Sequence, residues 1–187
     1  VISRDHAWTV LAEFTRSDSL RKHARAVETV MRAYARQYDE DLDEWGLAGM
    51  LHDFDYEMHP KPPHHPVKGA EILLTRGVPE RVVYAILAHA DYSGMPRVSR
   101  LDRALYACDE LSGFVHAVAL VRPGRVITGL EPSSVRKKLK DKAFARTVNR
   151  DDVYRGAAEL GVELDAHIAF VVAALTRVAP ELGLGVG

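Results

Sequence analysis

The chain has almost no cysteine. Cys108 stands alone in 187 residues, which excludes an intrachain disulfide and fits a reducing compartment. Charge of one sign is also lacking, because 25 basic and 26 acidic residues leave a formal net charge of −1. That balance argues against a generic electrostatic hold on nucleic acid or membrane. Long apolar runs are missing too. The first twenty residues are broken by Arg4, Asp5, His6, Glu13, Arg16 and Asp18 and hold no stretch of signal-peptide or membrane length. A soluble, cytoplasmic protein with small or locally recognised partners is therefore expected. Strand-like alternation is confined to a short stretch near Arg125 to Thr128, and there is neither an internal repeat nor a low-complexity segment. At this length one domain, 1–187, with a real core is expected.

What the chain does have is histidine, nine in all, and their placement carries the information. A short helix over Ala7 to Phe14 precedes a long one over about Ser19 to Tyr38, for which Ser17 or Asp18 is the N-cap. There His23 recurs in phase with Leu20, Val27, Val30, Met31 and Tyr34, so it faces inward. The apolar run Leu47 to Phe54 ends in the adjacent pair His52 and Asp53. Prolines 60, 62, 63 and 66 make the following segment a loop, and Pro66 suits the first turn of a helix to about Arg76. His65 is in phase with Gly69, Ile72 and Leu73 of that helix. A further helix over Pro79 to His89 places His89 with Val82, Ala85 and Ile86, and one over Arg100 to Val121 places Asp109 with Leu101, Leu105, Ser112 and His116. Beyond it lie a basic segment, Arg136 to Arg150, two amphipathic helices near 151–160 and 164–178, and a glycine-rich tail, 183–187, expected to be mobile.

His23, His52, Asp53, His65, His89 and Asp109 thus aim from five helical segments at one interior. A lone inward histidine is most often a hydrogen-bonded core residue. Four imidazoles and two carboxylates in apolar surroundings need a stronger compensation, and a cation supplies it. Mixed nitrogen and oxygen donors suit Mn, Fe, Co, Ni or Zn and suit Ca poorly. One ion would take His23, His52, Asp53 and Asp109, and a second His65 and His89, with Asp53 bridging. Such a pair acidifies water and clamps phosphate oxygens during in-line displacement. Hydrolysis of a phosphate ester or anhydride is the matching chemistry.

The order His23, then His52 with Asp53, then Asp109 resembles the signature of the HD superfamily of metal-dependent phosphohydrolases. The text from His65 to Leu73 and from Ala85 to His89 resembles its HDIG-type branch. The resemblance implies an all-α helical bundle with the metal site in its interior, a metal-binding core over about 20–121 and a C-terminal helical extension over about 130–180. It also implies one or two divalent transition metals, the four primary ligands just named, and His65 and His89 as the extra ligands of dinuclear members. Three departures stand out, one being that no position matches the family's catalytic acid. Phe54 and Asp55 replace the Ile-Gly of the HDIG pattern, and Ala90 follows His89 where some dinuclear members carry a second histidine.

A nucleotide or other small phosphorylated metabolite is the expected substrate. Beside the metal-facing Asp53, three further residues are candidates for the chemistry: Asp55 or Glu57 as general acid or base, and Lys68 as a cation for substrate phosphate. Asp91 is a substitute ligand to weigh, and His116 a residue for the pocket wall. Two other functions share this ligand set: a di-iron HD-type oxygenase, and a nucleotide-sensing module whose metal is structural.

Overall fold

A computed structural model describes residues 2–187. Among them are nine α-helices and no strand, so the chain is all-α. It divides into two compact units, Val1–Tyr106 and Ala107–Gly187.

The first unit is built around α3 (Leu42–Leu51), in which every residue from Trp45 to Leu51 is buried. A helix apolar on all sides can only sit at the centre of a bundle. It packs against α1 (Arg4–Phe14), α2 (Asp18–Tyr38) and α5 (Glu80–Ala88), while α4 (His64–Thr75) packs on α5. Ser17 caps α2 by accepting from the Leu20 N–H, as one of the two expected caps. Asp41 caps α3 by accepting from the N–H groups of Asp43 and Glu44 at 2.9 Å each. Gly49 lets α2 and α3 approach closely, since a Cβ there would lie 2.8 Å from the Glu28 Cα and backbone nitrogen.

Glu28 itself is a buried carboxylate on α2 held by three arginines. Arg4 binds it through Nε at 2.7 Å and Nη2 at 3.0 Å, Arg32 through Nε at 3.0 Å, and Arg25 lies at 3.5 Å. The two oxygens meet more donors than one amide oxygen can serve. Glu28→Gln is therefore expected to lower unfolding stability by about 2 kcal/mol, below the full penalty of a broken buried pair because the guanidiniums stay partly solvated. Urea unfolding checks this.

The second unit holds the rest of α6 (Arg100–Leu120), followed by α7 (Pro132–Lys140), α8 (Arg150–Leu160) and α9 (Leu164–Thr176), with α7 and α8 both packed on α9. The stretch expected as a strand forms only a single parallel bridge, Val126 to Gly185. The glycine-rich tail expected to be mobile is the other half of that bridge. Ile127 N–H donates to Gly185 O at 3.0 Å, Gly185 N–H to Arg125 O at 3.0 Å, and the Thr128 hydroxyl to Val186 O at 2.7 Å. The basic segment is partly internal: Arg150 lies over the Phe114 ring and donates to the carbonyls of Phe144, Ala145 and Val148, and Arg136 pairs with Asp165 at 3.2 Å.

Candidate metal centre

Four chain segments of the first unit deliver five donors. His23 comes from the second turn of α2. His52 is the C-cap of α3 and continues its right-handed backbone, so Asp53 follows directly at the end of a buried helix. The next residues are anchored to the joint between α1 and α2: the Thr15 hydroxyl donates to Phe54 O at 2.9 Å, and the Phe54 ring meets Phe14 edge-on at 5.3 Å. His65 has an extended backbone, ψ 137°, as the residue before a proline prefers. His89 is the C-cap of α5.

These donors converge on Asp53, and its two oxygens divide them. Oδ2 faces Nε2 of His23 at 3.8 Å and of His52 at 3.5 Å, and Oδ1 faces Nε2 of His65 at 3.1 Å and of His89 at 3.6 Å. Nε2 of His23 and His52 are 3.2 Å apart. Three imidazoles use the opposite nitrogen as a donor. His52 Nδ1–H donates to Gly49 O at 2.9 Å, His89 Nδ1–H to Ile86 O, and His65 Nδ1–H to Asp55 Oδ1 at 2.6 Å. With Nδ1 so occupied, Nε2 is the nitrogen turned to the centre, the orientation in which a histidine ligates a metal. His52, His65 and His89 are buried, while His23 and Asp53 keep about 20% exposure, so the centre opens on that side.

The electrostatics call for a cation. Burial opposes charge on Asp53, but the His52 charge and hydrogen bonds from His65 and His89 outweigh it and hold the carboxylate well below its usual range. Burial likewise opposes charge on His65, but hydrogen bonds to Asp53 and Asp55 and their negative charges push it up to about 9. In the metal-free protein a proton on His65 thus supplies positive charge that a bound ion would otherwise bring. Its folded value lies above the value of about 6.5 in the unfolded chain, so it contributes stability that is complete below about pH 6.5 and lost as pH rises through about 9. Urea unfolding of chelator-treated protein should therefore weaken over that window. His65→Gln should flatten the slope.

Other residues named from the sequence take varied places. Asp55, expected as a general acid or base, is fully buried, and its oxygens accept from His65 Nδ1–H and from Gly69 N–H at 2.9 Å. Glu57 is exposed and accepts from the N–H groups of Arg16 and Ser17 at 2.8 and 3.0 Å, which hold its carboxyl below the usual range. Lys68 is exposed on α4. Asp109 is half-buried on α6, in the second unit. Asp91 pairs with Arg97 at 2.9 Å. His116 donates from Nε2 to Leu182 O at 3.0 Å, and the buried His167 from Nε2 to Ala107 O at 2.9 Å. What periodicity missed is the buried contact of Asp55 with Gly69, where a Cβ would lie 2.6 Å from the Asp55 Cγ.

A family model, described as the HD domain, matches residues 20–113, which include every one of the clustered donors. The chain belongs to the HD domain family. HD domains bind divalent metals and form a superfamily of metal-dependent phosphohydrolases. The donor set fits that group, since imidazole nitrogens and a carboxylate gathered on one point suit a first-row transition ion. No curated protein and no solved structure matches the chain significantly. Among the described residues no helix is long and apolar enough to cross a membrane. This HD domain thus carries a set of groups able to hold one ion at His23, His52 and Asp53 and another at Asp53, His65 and His89.

Proposed function

We propose that this HD domain hydrolyses a phosphate ester or anhydride in a nucleotide or another small phosphorylated metabolite, with two divalent ions that His23, His52, Asp53, His65 and His89 would hold. The observation that carries the proposal is the division of the Asp53 oxygens, Oδ2 toward His23 and His52, Oδ1 toward His65 and His89. A carboxylate whose two oxygens face separate pairs of imidazoles could serve two ions, one on each side. The family resemblance assigns Asp109 to the ion of His23 and His52.

Ions bound there acidify water and neutralise charge on phosphoryl oxygens. The protein's own groups do the rest. The imidazoles, held through Nδ1, keep Nε2 aimed inward, and Asp53 supplies the anion between them. Lys68, exposed on the α4 turn after His65, is assigned to a substrate phosphate. Glu57 remains a candidate for proton transfer, whereas Asp55 has both oxygens engaged by His65 and Gly69. A nucleotide is supported by Tyr56, an exposed residue whose ring lies edge-to-face with His65 at 5.4 Å, which puts an aromatic group beside the centre for a base to stack on.

Metal analysis of the purified protein, with a hydrolysis screen over nucleotides, dinucleoside polyphosphates and cyclic dinucleotides in Mn, Co, Ni or Fe, tests the proposal. Metal-dependent hydrolysis without oxygen uptake is expected. Absence of hydrolysis with every ion, or iron-dependent oxygen consumption, would sink it.

A further inference from the structure

We infer that Asp55 is a positioning residue that selects which nitrogen of His65 meets the second ion, and that the place requires a carboxylate. The inference rests on the dinuclear reading above. Its basis is a difference between His65 and its two neighbours. His52 and His89 each end a helix and donate Nδ1–H to the carbonyl three residues back, Gly49 O and Ile86 O. The free carbonyls at a helix C-terminus make that acceptor available without any side chain. His65 stands at the opposite end of its helix, before Pro66 and with an extended backbone. Helix carbonyls point away from that end, so an acceptor has to come from elsewhere. Asp55 provides it at 2.6 Å.

The site for Asp55 is built on both sides. Oδ2 accepts from Gly69 N–H at 2.9 Å, and residue 69 has to lack a Cβ for the carboxylate to fit, because that atom would fall 2.6 Å from Asp55 Cγ and 2.8 Å from the Phe54 ring. Two donors therefore face one side chain. An asparagine in this position has one acceptor oxygen. If it serves Gly69, its NH2 group faces His65 Nδ1, which turns the imidazole proton to Nε2 and toward the ion's place. If it serves His65, the NH2 group meets the Gly69 N–H. Asp55→Asn should thus weaken the second ion while leaving the first, because the Asp55 carboxylate bonds to His65 and Gly69, which are not among the first ion's ligands.

The test uses the full chain and Mn(II) alone as the probe. Titration followed by electron paramagnetic resonance separates an isolated ion from a coupled pair. Wild type is expected to bind two ions with spin coupling. Asp55→Asn is expected to bind the first with affinity within about threefold of wild type and the second on the order of 10–100-fold more weakly. Unchanged binding of both ions, or equal weakening of both, overturns the inference, the second because a merely structural role would do that. A wild type that takes one ion overturns it and the dinuclear reading, and one that takes none overturns the hydrolase proposal as well. Should the variant not fold, nitrogen NMR of zinc-loaded wild type decides. A metal-bound Nε2 with a protonated Nδ1 at His65 supports the assignment, and a metal-bound Nδ1 overturns it.

Discussion

Asp53→Ala is expected to leave the helical unit folded, to empty it of metal and to bring hydrolysis to background. Asp53 alone presents an oxygen to each pair of imidazoles, so removing it takes a ligand from both ions at once. Four imidazoles then remain without the anion that offsets a doubly charged guest. The loss removes several kcal/mol of transition-state stabilisation, a fall on the order of 10³-fold in kcat. The fold should survive because the packing around α3 does not depend on this side chain. Elemental analysis, circular dichroism and turnover on one sample check all three parts, and a variant that keeps its full metal content would refute the bridging role.

Gly49→Ala should cost more than Gly46→Ala one turn earlier on the same helix. In the middle of a helix alanine is normally favoured over glycine by about 0.5–1 kcal/mol. Here the new Cβ would lie 2.8 Å from Glu28 Cα and backbone nitrogen and 2.9 Å from the Val27 carbonyl carbon. Those are backbone atoms of α2, which cannot turn aside as a side chain can, so the two helices must separate. A net destabilisation of about 2 kcal/mol is expected, in the range of overpacked cores. The site should feel it too, because α2 carries His23 and α3 leads into His52, and their Nε2 atoms are 3.2 Å apart. Affinity for the first ion should drop along with stability. Gly46→Ala is the control. The atoms nearest its Cβ would be those of the Arg32 guanidinium, from 2.5 Å, the end of a side chain that can shift further than helix backbone, at some cost to its bond with Glu28. Denaturation midpoints of the two variants should therefore differ clearly, with Gly46→Ala the milder.

The helices and most donors were legible because burial follows the 3.6-residue period. His23 lies on the inner stripe of α2, and His52 and His89 close helices whose apolar residues already point to the core. His65 is inward for another reason than its phase with Gly69 and Leu73. It stands outside the regular helix, and the hydrogen bond it donates to Asp55 fixes it. Asp55 could not be placed by period, since its burial depends on a glycine fourteen residues away. Two signals pointed to it: a carboxylate directly after the buried Phe54, and a glycine on the apolar side of α4 one turn beyond His65. Gly49 was likewise hidden, because nothing local tells a glycine at a helix contact from one merely tolerated. In the second unit the tail was expected to be mobile from its composition, yet glycine is what permits it to dock, as a Cβ at Gly185 would lie 2.8 Å from Gly124 O.

The claim that Asp53 gathers these histidines around bound ions can be tested by anomalous diffraction from crystals loaded with zinc or manganese. The expected map has a peak within ordinary ligand distance, about 2.0–2.2 Å for zinc, of His23 Nε2, His52 Nε2 and Asp53 Oδ2, and a second beside Asp53 Oδ1, His65 and His89. A map without a peak at Asp53, or with its peaks on other residues, would contradict it.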